Sequence, residues 1–120
     1  MKALTICQPY AEMIALGEKT IENRNWPTSY RGPLAIHAGK SRAWMDPDDL
    51  KLYPDMSFGF VVALAELVDC VQITRLPAHR ADNEHANGPF CWLLENVRRI
   101  KPVPAKGAQG LWDWQAAIEF

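Results

Sequence analysis

Stretches of alternating or continuous hydrophobic residues are spread along the whole chain, and each of them predicts a β-strand. The stretches cover residues 3–7, 17–26, 33–39, 58–70 and 90–100, with a last strand near the end of 101–114. Residues 58–70 are almost continuously apolar, which is typical of a strand buried on both faces. The sequence therefore predicts roughly six strands.

Helical spacing interrupts the strand pattern after the first strand. Tyr10, Met13, Ile14 and Gly17 recur at the period of an α-helix, and Pro9 suits its first turn. Gly17 stands where a left-handed C-terminal cap is expected. One short helix is therefore predicted between the first two strands.

Two later segments interrupt the strand pattern. Residues 41–52 predict a weak helical insertion, and residues 74–88 predict an exposed loop or a short helical lid. The fold class is therefore α+β: one small β-barrel of about six strands, with two or three helices inserted at the connections. Barrel closure would remove the exposed strand edges. The whole of residues 1–120 is expected to form one domain.

Composition narrows the class of protein. Of the 120 residues, 48% are hydrophobic and 22% are charged, as in a globular domain. The net charge is −1, so no overall basic field draws the chain onto nucleic acid or an anionic membrane. No membrane partner is expected, and any nucleic-acid contact needs a local basic patch. No signal peptide and no bilayer-spanning stretch is predicted. Three widely separated cysteines fit neither disulfide pairs nor zinc ligands, which favours a reducing, cytoplasmic location.

The stretch GEKTIENRNW, residues 17–26, has the most chemistry in the smallest space. Glu22, Arg24 and Trp26 are two residues apart, so a strand would point them to one face. An indole left in water costs hydrophobic free energy, and this favours a lined recess over a bare surface. Lys19 is predicted at the mouth of this strand. The alternative is that Lys19 and Glu22 form only a salt bridge at the barrel mouth.

The sequence leaves more than one role open for several other candidate site residues. Tyr10 suits either the core or the site, and core packing is favoured. His37 suits either a structural hydrogen bond or catalysis. Glu66 must be paired or protonated if it is buried in its strand. Trp92 and Asn96 are expected on one face of their strand, where they would extend the recess. The predicted ligand-binding residues are Gln8, Tyr10, Lys19, Glu22, Arg24, Trp26, His37, Glu66, Trp92 and Asn96.

The segment 74–88 contains four side chains that can bind metals, namely His79, Asp82, Glu84 and His85. Their spacing matches no recognised ligand pattern, so a solvated loop is favoured. We therefore expect no metal and no cofactor.

Several ordered blocks resemble the ASCH domain family. They are QPYAEMIALG, GEKTIENRNW, RGPLAIHAG, GFVVALAELVDC, FCWLLENVRRI and KGAQGLW, and they span nearly the whole chain. The resemblance implies a barrel similar to that of PUA domains and a cleft beside the first helix that binds RNA or a nucleotide-like ligand. It also implies that Lys19, Glu22 and Arg24 form the family's G-x-K-x-x-E-x-R row.

One bacterial branch with this fold deacetylates N4-acetylcytidine with a lysine, a threonine nucleophile and a glutamate. Aligned by the glycine and lysine, the chain retains Lys19 and has Glu22 in place of the threonine, while strand alternation sends Thr20 to the opposite face. Glu66 and Glu84 are the stand-ins for the glutamate. A binding module for RNA, a nucleotide or a modified nucleoside is therefore favoured over an amidohydrolase in which Lys19 and Glu22 are catalytic. A structural or protein-interaction domain remains a third alternative, since five tryptophans suit an interface as well as a pocket.

Overall fold

A computed structural model of the chain describes residues 1–77, 80 and 84–115. Its single sheet contains six strands: β1 Lys2–Ile6, β2 Ile21–Arg24, β3 Gly32–Ala38, β4 Phe60–Gln72, β5 Phe90–Pro104 and β6 Leu111–Asp113. The helices are α1 Tyr10–Ala15 and α2 Asp49–Leu52, with a 3₁₀ turn at Ile73–Arg75. No helix in this part of the chain is long and apolar enough to span a membrane.

The strands are hydrogen-bonded in the order β2-β5-β4-β3-β1-β6. β1 and β3 are parallel, and the other neighbouring pairs are antiparallel. The six predicted strands are confirmed, but closure is not: the sheet curls into a half-barrel and ends at β2 and β6. These edges are four and three residues long, and such short edges offer little template for further pairing.

Hydrophobic residues cover both faces of the sheet. Neighbouring residues of β1 belong to different clusters, Leu4 to the larger one beneath α1 and Ala3 to a second one that includes Trp114. Residues 61–65 of β4 are all buried, which confirms the predicted two-sided burial for the first half of that strand. After Leu67 the strand is more exposed: residues 68, 69 and 72 are exposed, and Cys70 and Val71 are half-buried.

Local signals and one ion pair hold α1 in place. Gly17 has φ +80°, which confirms the predicted left-handed cap. At the other end, Gln8 Oε1 accepts a hydrogen bond from the Glu12 amide at 2.9 Å. Arg99 Nη2 donates to both carboxylate oxygens of Glu12 at 3.0 Å, which joins α1 to β5. The helix is therefore fixed over the sheet, and the chain after Gly17 carries Lys19 towards β2.

A bulge in β5 separates residues that the sequence pattern placed together. The pairing with β4 shifts between Glu95 and Arg98, and Asn96 adopts φ +51°. Trp92 is fully buried while Asn96 is exposed. The prediction that these two residues share one face is wrong, because the extra residue in the bulge breaks the period of two.

Candidate functional site

A cleft of about 400 Å³ lies where the end of β1, the start of α1 and β2 meet the segment 84–88. We call it the β2 cleft. Its lining residues are Thr5, Ile6, Cys7, Tyr10, Lys19, Glu22, Asn23, Arg24, Trp44, His85 and Asn87. Four of the predicted ligand-binding residues line it, namely Tyr10, Lys19, Glu22 and Arg24.

Glu22 is the centre of the charged group in the cleft. Its Oε2 lies 2.9 Å from Arg24 Nη2, and its Oε1 lies 3.6 Å from Lys19 Nζ. Glu22 is 8% exposed and Lys19 is 3% exposed, so both charges are largely removed from water. Each charge is nevertheless paired, which is the condition under which buried ionised groups are tolerated. The predicted row of charges therefore exists as one fixed cluster.

Strand alternation explains how this cluster is built. Ile21 points away from Glu22 and packs in a hydrophobic cluster with Cys91 and Leu93 of β5. Burial of Ile21 on that side fixes the register of β2, and it places Glu22 and Arg24 on the cleft side.

Lys19 has a depressed affinity for its proton. Burial is the main cause and lowers the pKa of Lys19, while the nearby Glu22 carboxylate opposes this by raising it. The ammonium group donates a hydrogen bond to the carbonyl of Ile21 and lies 5.6 Å from the ring centroid of Tyr10. Tyr10 is half-buried and packs against the main core, so it serves the core and the cleft together.

Arg24 connects the cleft to the rest of the sheet. Its Nη2 donates to the carbonyl of Thr5 at 2.8 Å as well as to Glu22. Its Nε is buried and has no hydrogen-bond partner in the described part of the chain. A buried donor of a charged group is costly to leave unpaired, so this N–H has the capacity to bind an acceptor atom of water or of a ligand.

The aromatic residue at the cleft mouth is Trp44, which sequence reasoning did not select. Trp44 is 67% exposed and lies in the loop between β3 and α2. Trp26 was expected beside Glu22 and Arg24, but β2 ends at Arg24. The Trp26 ring instead packs edge-on against the buried Trp92, with ring centroids 4.7 Å apart, and Trp26 lines an adjoining depression. No local pattern could have selected Trp44, because its surroundings are made by distant segments.

Asn23 holds the segment 84–88 against β2. Its Nδ2 donates to the carbonyl of His85 at 2.7 Å, and its Oδ1 accepts from the amides of Asn87 and Gly88 at 2.9 and 2.8 Å. Sequence reasoning missed this residue too. A signal was present, because asparagine is disfavoured within strands and its occurrence between Glu22 and Arg24 indicated a specific partner.

His37 lies in a second depression of about 820 Å³ rather than in the β2 cleft. Its Nε2–H donates to the carbonyl of Ala105 at 2.7 Å, so its Nδ1 accepts from the hydroxyl of Thr5 at 3.1 Å. Burial lowers the pKa of His37 and favours this neutral form. These contacts match the structural alternative for His37, since both ring nitrogens are used to hold the segment that follows β5 against β1.

The remaining candidates lie outside the β2 cleft. Gln8 is fully buried, and its Nε2 donates to the carbonyl of Ser57 at 2.9 Å. Trp92 belongs to the core. Glu66 is exposed and accepts a hydrogen bond from Asn96 at 3.1 Å, so neither alternative for a buried Glu66 applies. The Asn96 side chain is therefore paired on the solvent side of the sheet.

The candidate metal ligands of the segment 74–88 and the residues considered for the hydrolase trio are the last to be placed. His79 and Asp82 lie outside the described residues, and no group of three or more metal-binding side chains occurs within 1–77, 80 and 84–115. Thr20 does not line the β2 cleft. The Glu84 side chain is 86% exposed, and its Oε1 lies 3.5 Å from His85 Nε2. The cleft therefore brings Lys19 together with Glu22, without Thr20 and without either stand-in glutamate.

Comparisons with known proteins agree with this architecture. Activating signal cointegrator 1 of Homo sapiens is 23% identical, and that of Mus musculus is 25% identical; each alignment covers 96% of this chain. The chain spans 22% of the length of these relatives. A crystal structure of ASCH from Zymomonas mobilis matches with a TM-score of 0.58 at 16% identity, over 97% of this chain and 87% of that one. The ASCH domain model matches residues 4–104, and the chain therefore belongs to the ASCH domain family.

Proposed function

We propose that the protein binds RNA or a nucleotide, and that the β2 cleft receives one nucleotide. The observation that carries this proposal is the Lys19–Glu22–Arg24 cluster, in which one carboxylate orients two cations inside a recess. Charge-assisted hydrogen bonds of this kind fix the direction of the remaining N–H groups. An anionic or acceptor-rich ligand then meets donors that are already in place.

The charge of the cleft suits a small anion. Lys19 and Arg24 contribute two positive charges and Glu22 one negative charge, so the lysine, arginine and glutamate side chains of the lining sum to a formal charge of +1. That charge matches one phosphate group or a polar base edge. Its volume of about 400 Å³ lies within the ordinary range for small-molecule sites.

The aromatic residues supply the second element of nucleotide recognition. Proteins bind unpaired bases by stacking them on aromatic rings and by hydrogen bonds to their edges. Trp44 presents an exposed ring at the mouth of the cleft, and Tyr10 lies deeper, beside Lys19. The resemblance to the ASCH family supports the same assignment, because it implies a cleft for RNA or a nucleotide-like ligand beside the first helix.

The alternative function is hydrolysis of a modified nucleoside such as N4-acetylcytidine. One observation favours it: burial lowers the pKa of Lys19, as a lysine that acts as a base requires. The pairing with Glu22 opposes it, because it stabilises the protonated ammonium. A binding role needs no nucleophile in the threonine position that Glu22 occupies, and it is therefore the function that we favour.

Titration tests the proposal. Nucleoside monophosphates and short single-stranded RNAs are added at low salt to the wild-type chain, to Arg24→Ala and to the control Arg31→Ala. Arg31 is an exposed arginine that pairs with Asp69 and does not line the cleft. We expect binding to be lost in Arg24→Ala and retained in the control. Absence of binding by the wild-type chain, or equal binding by Arg24→Ala, would overturn the proposal.

The same preparation decides the alternative. The chain is incubated with N4-acetylcytidine, and release of acetate is followed. Turnover that is abolished by Lys19→Met, which retains the length and the apolar stem of the side chain, would rank catalysis above binding.

A further inference from the structure

We propose that the ligand is a single-stranded nucleic acid of two or more nucleotides, whose backbone continues from the β2 cleft into the depression beside His37. This inference rests on the proposed function and deepens it. We call this second depression the Lys40 groove. Its lining residues are Thr5, His37, Gly39, Lys40, Gly59, Pro104, Ala105, Lys106, Gly107, Ala108 and Gln109.

The two depressions adjoin at one residue. Thr5 lines both the β2 cleft and the Lys40 groove, and its side chain is only half-buried. The groove measures about 820 Å³, roughly twice the 400 Å³ of the cleft. A ligand seated in the cleft and longer than one nucleotide therefore has an adjoining space for the rest of its backbone.

The groove carries positive charge that the protein does not use. Lys40 and Lys106 both line it and are both exposed. Across the described ranges, neither lysine forms an ion pair, whereas Lys2, Lys19 and Lys51 each do. Two free ammonium groups along one groove suit successive phosphates.

Gly59 gives Lys40 a defined path along the groove. A Cβ atom on Gly59 would lie 2.8 Å from Lys40 Cε, and Gly59 adopts φ +83°. The lysine stem therefore crosses directly over the glycine backbone. This contact restricts where the ammonium group can reach, so part of the entropy of ordering a long side chain is already lost before a ligand binds.

One loop contributes to both depressions. Lys40 lines the groove, and Trp44, four residues later, lines the β2 cleft. Between them, the Arg42 guanidinium lies 4.1 Å from the ring centroid of Phe58, which fastens the loop to the segment before β4. The loop thus presents an ammonium group and an indole ring to neighbouring parts of one ligand. Alternation of phosphate and base along a strand of nucleic acid has the same two components.

A single strand fits these features better than a duplex does. Stacking on the exposed ring of Trp44 requires a base whose faces are free, and a duplex stacks and pairs its bases. A protein partner with an acidic segment would use the lysines but not the cleft together with the indole. We therefore assign the whole surface to a single strand.

The experiment compares a nucleoside monophosphate, a single-stranded trinucleotide, a duplex and a short polyglutamate peptide. Each is titrated into the wild-type chain, into the double variant Lys40→Ala/Lys106→Ala and into the control Lys51→Ala/Lys101→Ala, whose lysines are exposed and line neither depression. We expect the wild type to bind the trinucleotide at least ~10-fold more tightly than the monophosphate, since linked contacts add without a second loss of freedom. The control should behave as the wild type does.

The double variant Lys40→Ala/Lys106→Ala should lose the tighter binding of the trinucleotide and keep its affinity for the monophosphate. For the trinucleotide, the slope of log K against log salt concentration should also become less negative by roughly 1.4, which is about 0.7 for each lost phosphate contact with a single strand. Equal binding of monophosphate and trinucleotide by the wild type would overturn this inference and leave the proposed function standing. The inference also fails if the double variant retains the gain, or if the duplex or polyglutamate binds as tightly as the trinucleotide. Absence of any monophosphate or trinucleotide binding would overturn the proposed function as well.

Discussion

Arg24 Nη2 donates a hydrogen bond to the backbone carbonyl of Thr5 at 2.8 Å, and this bond joins β2 to β1 across the open side of the half-barrel. The same nitrogen lies 2.9 Å from Glu22 Oε2. One guanidinium group therefore holds two distant strands together and orients the carboxylate of the candidate site. Changes at this position should affect both stability and ligand binding.

Arg24→Lys should lower the free energy of unfolding by about 1–3 kcal/mol, the range for hydrogen bonds to charged groups. A lysine retains the charge, but its compact ammonium group does not reproduce the planar fork that reaches both Thr5 and Glu22. Urea unfolding measures the change. The matched control is Arg31→Lys at an exposed arginine, which should stay within about 0.5 kcal/mol of the wild type. Equal stability of the two variants would show that the bond to Thr5 is dispensable.

Glu22→Gln should weaken nucleotide binding by about 1–3 kcal/mol, since the amide retains the shape but loses the charge that orients Lys19 and Arg24. Calorimetric titration with a nucleoside monophosphate measures the loss. Glu22→Thr should weaken binding likewise without turnover of N4-acetylcytidine, because a hydroxyl nucleophile also needs a positioned base and an oxyanion stabiliser. Acetate release by Glu22→Thr would contradict the binding assignment and reveal a nearly complete hydrolase.

Trp44→Ala should weaken binding of the trinucleotide by about 1–3 kcal/mol, the usual contribution of one stacked base. Because Trp44 is 67% exposed, the same change should leave the free energy of unfolding within about 0.5 kcal/mol of the wild type. Trp44→Phe should recover part of the affinity through its smaller ring. Leu52→Ala, at an apolar side chain that is 68% exposed and outside the cleft, serves as the control. Unchanged affinity in Trp44→Ala would remove the stacking contact from the proposal.

The stability of the fold should fall as the pH drops below about 6.5, the ordinary pKa of histidine. Burial lowers the pKa of His37 in the folded chain. Below about pH 6.5, the His37 side chain therefore binds a proton more readily in the unfolded chain than in the folded chain. The stabilisation is therefore fully present above the unfolded pKa and is lost as the pH falls towards the folded pKa. Urea midpoints between pH 7.5 and pH 5 measure this loss.

His37→Gln should flatten that pH dependence. A glutamine retains one donor for Ala105 and one acceptor for Thr5, but it does not titrate. His85→Gln is the control, since His85 lies on the segment 84–88 near the exposed Glu84. If His85→Gln removes the slope and His37→Gln keeps it, the assignment of the buried titrating group is wrong.

Local sequence signals predicted much of the fold because they act over short distances. The period of two places Ile21 against β5 and Glu22 with Arg24 in the cleft. Gly17 ends the helix region with a positive φ, as its lack of a Cβ atom allows. The central stretch was therefore identified from its residues, and the structure brings three of its charges together.

Long-range packing decided what the local signals left open. The bulge at Asn96 separated that residue from Trp92, and a bulge has no reliable mark in a single sequence. The short edge strands left the sheet open, and Arg24 rather than strand pairing spans the gap. His37 lies in a second depression, outside the β2 cleft, because β3 places it beside the residues that follow β5.

The amino-acid sequence by itself determined the strands, the first helix and the charged row on β2, since each depends on neighbours within a few residues. Tertiary structure alone decided which other side chains meet that row. Thr5, Trp44 and His85 come from separate segments, and their convergence on the row depends on the pairing of the strands and on the paths of two loops. Such contacts join residues far apart in the chain, where the pattern of any single segment holds no information about its partner.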